Sequence, residues 1–417
     1  MTMGRDFIDF GRRDAVICPN RRVFLAGATS LTAALMAPRI ASAAGARDPR
    51  LVVVILRGAL DGLSAAPPVG DPTYASLRPD IAVRLGGANG ALPLDGMFAL
   101  NPALQKLHAM VQGGDALVVH AVANGYRDRS HFDGQDALEN GTVNRALDTG
   151  WLNRAMAALP ALDRIAPAKG LGVGATVPLI LRGASPVVSW VPPKLDAAKE
   201  DTIDRLAALY AARDPELARA FEAGVETDKI AMASGMDDKT PGLKRLQAGF
   251  VTLAAGAARL MAAEGGPRVA ALSYDGWDTH VKEGSSDGRL AGLLGALDLA
   301  LDTLKTGLGD GWKDTAVVVV TEFGRAAREN GADGTDHGTG TVAFLLGGAV
   351  KGGRVIADWP GLKDAELFEN RDLAPTTDLR AILKGVLGDH LGLSETALAE
   401  TVFPESEAVK PYRGLIV

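Results

Sequence analysis

Apolar residues along the chain fall into two alternating kinds of segment. Near-continuous runs rich in Val, Ile and Leu lie at 50–57 (RLVVVILR), 115–123 (DALVVHAVA), 267–280 (PRVAALSYDGWDTH, running into a loop), 314–325 (DTAVVVVTEFGR, ending at Glu322) and 341–348 (TVAFLLGG). Such runs fit strands buried on both faces, as in a parallel sheet. Between them, 101–114, 243–266, 288–309 and 376–393 repeat their apolar residues at helical spacing, and the first two stop at Gly113-Gly114 and Gly265-Gly266. The alternation predicts an α/β fold, a mostly parallel sheet flanked by helices. Residues 202–224 read as a helix charged on one face. The surrounding 184–242 is expected to be a helical insertion or cap, or else a scaffold element of the main layer.

The first residues break this rhythm. Arg21 and Arg22 precede a weakly apolar run from Val23 to Met36, and Ala-Ser-Ala follows at 41–43. The run is shorter than the roughly 20 residues a membrane-spanning helix needs. Phe24 and Leu25 after the arginine pair resemble a twin-arginine export signal, with an ordinary secretory signal as the alternative. The expected organisation is a signal peptide at 1–44 and one α/β domain at 45–417. The expected partner is the twin-arginine export machinery, the destination is the periplasm or the exterior, and no stable membrane anchor is expected. Cys18, the single cysteine, lies within the signal. The mature chain is thus expected to use neither a cysteine nucleophile nor a thiolate metal site.

Composition narrows the function classes. The chain is 47% hydrophobic and 23% charged, with a net charge of −6. That suits a large core, and the absence of a basic run argues against nucleic acid as a partner. Aromatic residues, at 5%, advertise no stacking surface. The G-x-G at 338–340 follows no strand directly, so no dinucleotide site is expected.

Ligands of open α/β sheets bind beyond the carboxyl ends of the strands, and there the polar residues of this chain gather. Asp61 follows the first strand, Ser130 and His131 the second, Asp278 and His280 the third, Glu322 the fourth, with Asp336 and His337 in the next loop. On parallel strands these would share one rim, and carboxylates with imidazoles there suit a divalent cation such as Zn²⁺ or Mn²⁺. Each residue also has a structural reading. Asp61 could cap a turn. Ser130 sits where a helix cap is expected, or its hydroxyl could act on an oxyanion held at the helix start. Glu322 could pair with Arg325, or Arg325 could clamp an anionic substrate. Asp336 could make only an Asx-turn, although the surrounding glycines would let backbone approach a ligand. Trp277, His108, His120 and His390 are expected to be packing or structural residues.

Together RGALDGLS, RSHFDGQDALENG with GWLNR, YDGWDTH, TEFGR and GTDHG, with the export signal, resemble the bacterial exported family called domain of unknown function 1501. That family looks distantly similar to the alkaline phosphatase and sulfatase superfamily. The resemblance implies an alkaline-phosphatase-like sheet with metal at its rim. It implies Asp61, Asp278, His280, Glu322, Asp336 and His337 as metal ligands, Ser130 as nucleophile, and His131 and Arg325 as further catalytic groups. The metal would be Zn, Mn or Ca. Phe323 stands where the superfamily pattern has a histidine, and the Asp278–His280 spacing is shorter than usual, which leaves two expectations: the loss of one metal, or His131 as the source of the missing nitrogen. The implied activity is hydrolysis of a small-molecule anionic phosphate or sulfate ester, by Ser130 or by metal-bound water. The alternative is a non-catalytic periplasmic binding or assembly protein with a degenerate site.

Overall fold

The computed structural model describes residues 47–87, 89–143, 147–159, 170–174, 177–192, 242–263 and 265–417. The expected signal peptide at 1–44 lies outside them. Eleven strands are formed among the described residues: β1 (Arg50–Arg57), β2 (Leu92–Pro93), β3 (Ala99–Leu100), β4 (Ala116–Ala123), β5 (Gly170–Val173), β6 (Val187–Trp190), β7 (Val269–Asp275), β8 (Thr315–Thr321), β9 (Thr341–Leu346), β10 (Arg354–Ile356) and β11 (Thr377–Asp378). The α-helices are α1 (Gly62–Ala65), α2 (Tyr74–Leu77), α3 (Gln105–Gln112), α4 (His131–Asn140), α5 (Trp151–Ala157), α6 (Gly242–Ala262), α7 (Arg289–Leu308) and α8 (Leu379–Leu391).

The main sheet runs β10-β4-β9-β8-β1-β7-β5-β6, with β11 also on β4, and β2 and β3 form a separate ladder. All its pairings are parallel except those of β9 with β4 and β8. The α/β fold with a mixed, mostly parallel sheet flanked by helices is the one the apolar pattern predicts. Strand β9 is the antiparallel member of the sheet. Because β9 runs against β8, it starts where β8 ends, so the loop between them stays at the rim.

The central run is apolar throughout because both of its faces are covered. Val52, Val54 and Leu56 pack with α3, α6 and α7, whereas Leu51, Val53 and Ile55 pack with α5 and α8. Helix α7 buries Leu290, Leu293, Leu294, Leu297, Leu301 and Leu304, the three-and-four spacing of one helical face. In register, Leu56 lies beside Thr321 and Arg57 beside Asp275. Central strands β1, β7 and β8 therefore end flush, and the loops that follow leave from one edge.

The expected helical segment at 184–242 begins differently. Val187–Trp190 adds a parallel edge strand to β5, in keeping with its β-branched and aromatic residues. The remainder, 193–241, lies outside the described residues. No helix among the described residues is long and apolar enough to cross a membrane.

Candidate metal centre

Four side chains from three loops point at one spot. His131 opens helix α4 after β4. Asp278 and His280 follow β7, and His337 lies between β8 and β9. Nε2 of His337 is 2.9 Å from Nε2 of His131 and 2.9 Å from Nε2 of His280. Asp278 Oδ1 lies 3.5 Å, 3.1 Å and 3.3 Å from Nε2 of His131, His280 and His337.

The other ring nitrogen of each histidine settles its tautomer. His337 Nδ1 is 3.0 Å from the Arg129 carbonyl, which can only accept, so Nδ1 carries the proton. His131 Nδ1 donates to Glu322 Oε1 at 2.8 Å, and His280 Nδ1 donates to Asp336 Oδ1 at 3.3 Å. Both carboxyls are acidic. Burial of Glu322 works against ionisation, but the hydrogen bond from His131 and others from backbone and Gln135 lower its pKa. The Asn330 hydrogen bond lowers that of Asp336 against mild burial, helped by His280. Three Nε2 atoms and a carboxylate oxygen therefore face one another, and as neutral imidazoles the three rings would bring no proton to share. Such a group repels itself unless a cation or added proton sits among it.

A cation suits the dimensions. Donors in a tetrahedron around zinc, at its usual bond lengths, stand roughly 3.3 Å apart, and the separations of His337 and Asp278 from each other and from His131 and His280 lie near that value. His131, Asp278 and His337 form a group that could hold a metal ion, their ligand atoms all within 4.8 Å of one another. Each histidine is backed by an oxygen acceptor, the usual arrangement behind metal-bound imidazole. The rim is open: the Asp278 and His280 side chains are 43% and 40% exposed, room enough for an incoming group.

Charge at the site follows from its neighbours. Burial disfavours the Asp278 carboxylate, but the 2.5 Å contact from Arg325, with His280 and His131 nearby, holds its pKa at about 2. The hydrogen bond to Glu322 raises the pKa of His131 against its burial. Burial lowers that of His337, and the nearby His131 and Arg325 push the same way.

The remaining expected site residues have other work. Asp61 does not join the cluster. Buried, it caps α1 by accepting the Ser64 N–H at 3.0 Å, and its other oxygen accepts from Arg78 at 2.7 Å. The capping reading is the one realised, with an unforeseen arginine as its counter-ion. Glu322 and Asp336 act behind the histidines rather than as ligands. Glu322 also accepts from the Gly58 N–H and Gln135 on the same oxygen as His131, and from Thr321 on the other.

Arg325 is not placed to clamp a substrate, nor does it pair with Glu322. It is 1% exposed and donates to the carbonyls of Gly58, Ala59, Trp277 and Thr335 as well as to Asp278. Its donors are used in joining three loops. Phe323 stacks on the His131 ring, centroids 5.0 Å apart, and so helps to hold that imidazole in place. Ser130 occupies the cap position of α4 with extended backbone but makes no side-chain capping bond.

Glycines bring these loops together. Gly58 has φ +119°, and a Cβ there would meet the Asp278 backbone nitrogen at 2.5 Å; a Cβ on Gly334 would meet the His280 carbonyl oxygen at 2.4 Å. The bareness of the 329–340 loop thus serves backbone-to-backbone approach, where approach to a ligand was expected. The bland histidines are as expected: His120 is buried with its pKa pushed down by burial to about 4, His390 is buried with Nε2 near the Arg50 carbonyl, and His108 lies on α3. Trp277 is buried against Tyr274.

No curated protein matches this chain in sequence. Among solved structures, Ps i-CgsB in complex with k-i-k-neocarrahexaose is similar at a TM-score of 0.40 and 11% identity, over 87% of this chain and 74% of that one. The phosphonate monoester hydrolase of Agrobacterium radiobacter gives 0.32 and 12%, over 83% and 74%. An inactive murine ectonucleotide pyrophosphatase/phosphodiesterase 5 in complex with AMP gives 0.30 and 10%, over 74% and 91%. Residues 121–402 match the model described as "Protein of unknown function (DUF1501)". That span covers more than half of the chain and takes in every member of the histidine cluster: the chain belongs to the DUF1501 family.

Proposed function

We propose that this chain is an exported, metal-dependent hydrolase of phosphate or sulfate esters, with His131, Asp278, His280 and His337 holding a divalent cation, zinc first among the candidates. The observation that carries the reading is the convergence of three Nε2 atoms on Asp278 Oδ1 at a partly open rim. A soft-to-borderline nitrogen-rich set of this kind favours zinc over calcium, which prefers six to eight oxygens. A bound cation would supply Lewis-acid polarisation of an ester oxygen and lower the pKa of a nearby hydroxyl. Ser130, adjacent to His131 and unused as a cap, is the proposed nucleophile. With Arg325 fully engaged, the substrate's negative charge has to be met chiefly by the cation. Export by the twin-arginine route rests on the sequence around Arg21 and Arg22.

A second reading, a non-catalytic metal-binding or assembly protein, has one observation in its favour. If His280 joins His131, Asp278 and His337 on the ion, four side-chain donors would fill a tetrahedral shell, as in closed structural zinc sites, whereas catalytic ones usually keep a position open.

The test is an assay of the purified full chain on aryl phosphates and aryl sulfates with Zn²⁺, Mn²⁺ or Ca²⁺, beside Ser130→Ala and His337→Ala. Hydrolysis lost in both variants supports the enzyme. Bound metal without turnover supports the second reading. Turnover unchanged in both variants contradicts the roles given to these residues.

A further inference from the structure

Beneath the metal loops lies a second buried polar cluster that the proposed chemistry does not use. Its centre is Glu283, fully buried on the loop between β7 and α7. One side-chain oxygen, Oε2, accepts from the Thr279 hydroxyl at 3.1 Å and from the Thr335 hydroxyl at 2.7 Å. Thr279 lies between Asp278 and His280, and Thr335 immediately precedes Asp336 and His337. The Thr335 N–H also donates to the Thr279 carbonyl at 3.2 Å, and the Glu283 N–H to the Asp333 carbonyl at 2.7 Å. A single carboxyl oxygen is thus the point at which two ligand-bearing loops are tied.

The other oxygen, Oε1, is buried and accepts from no donor. The carboxyl group lies in hydrogen-bonding reach of Asp61, and two ionised carboxylates cannot bond each other. Asp61 already has its cation: Arg78, fully buried, donates to it at 2.7 Å, to Ser64 Oγ at 2.8 Å and to the carbonyls of Ala326 and Ala327. Tyr74 and Asp61 are the other titratable groups that face this arginine with Glu283. One arginine for two buried carboxyls leaves one of them in excess. An uncompensated buried charge is costly, so a proton on Glu283 resolves both the charge count and the orphaned oxygen.

We propose that Glu283 is a positioning residue for the metal centre: as a neutral carboxylic acid it gives its proton to a hydrogen bond with Asp61 and uses Oε2 to fix Thr279 against Thr335, setting the separation of His280 and His337. This rests on the metal-site reading above, because the spacing it sets is that of the proposed ligands.

Glutamine copies the neutral acid, with an amide N–H for Asp61 and a carbonyl for the two threonines. Zinc affinity of the full chain, measured by competition with a chromophoric chelator, is therefore expected to stay within about threefold in Glu283→Gln. It should fall about 10–100-fold in Glu283→Ala and in Thr335→Val, the usual effect of losing support behind a metal ligand. Thr335→Val removes one hydroxyl without emptying the cluster, so it keeps the test available if Glu283→Ala does not fold. Affinity as weak in Glu283→Gln as in Glu283→Ala would overturn the neutral-acid assignment, and parent-like affinity in Thr335→Val would overturn the tie. If the parent takes up no zinc, the metal-site reading fails, and thermal unfolding still decides the brace. A midpoint kept in Glu283→Gln but lowered in Thr335→Val upholds it, and equal losses in both overturn it.

Discussion

The 2.8 Å hydrogen bond from His131 Nδ1 to Glu322 Oε1 turns the imidazole so that its other nitrogen faces His337 and Asp278. Glu322 therefore shapes the centre without entering it, and its substitution by glutamine is a sharp test. The amide can present its N–H to Nδ1, which would move the ring proton to Nε2, toward the metal. Zinc affinity is expected to fall about 10–100-fold in Glu322→Gln, read by chelator competition. Glu322→Ala additionally orphans the buried Gly58 N–H and should cost about 1–3 kcal/mol of stability, read by urea unfolding.

Arg325 gives a prediction of a different kind. A substrate clamp, when removed, raises KM and leaves folding alone. A buried arginine tying Gly58, Ala59, Trp277, Thr335 and Asp278 together should instead destabilise on removal. Arg325→Ala is expected to lose at least about 1–3 kcal/mol, as when a buried carbonyl is left without its donor. Denaturant unfolding of the metal-free full chain checks this without any activity assay. Unchanged stability would return Arg325 to the substrate.

Glu283 sets a pH dependence. Burial first, and the nearby Asp61 next, raise its pKa from 4.5 to about 8, against the pull of Arg78. In the unfolded chain it loses its proton at the ordinary value, so the folded state holds the extra proton between about 4.5 and about 8. By linkage, this group's contribution to stability is fully present below 4.5 and falls as pH rises until it is lost near 8. The raised pKa of His131 slopes the same way, so the parent is compared with Glu283→Gln. The difference between their unfolding midpoints is expected to narrow or change in the glutamine's favour as pH rises through this window. A constant difference would mean that Glu283 does not hold the proton.

Much of the fold was readable because burial leaves a periodic trace. Residues 51–56 and 316–320 are apolar at every position, since each has a core on both sides of the sheet, and Leu290 to Leu304 show a single helical face. The antiparallel turn of β9 left no such trace: its apolar run reads the same in either direction. Of the site, His131, Asp278, His280 and His337 were visible because imidazoles and carboxylates at strand ends are conspicuous. What sequence could not apportion was rank. Glu322 and Asp336 stand as close in the chain to ligands as ligands do, and only the hydrogen bonds place them behind the histidines. Arg78, in SLRPD, and Glu283, in VKEGSS, look like surface charge. Their significance lies in partners such as Asp61 and Thr335, which only the folded chain brings near.

Elemental analysis of the purified full chain, beside His337→Ala, bears most directly on the metal centre. The expected result is about one equivalent of a divalent transition metal, zinc first, per parent chain, with strong depletion in the folded variant. A folded parent that carries no metal and takes none up on dialysis against zinc, or a His337→Ala variant that holds as much as the parent, would contradict it.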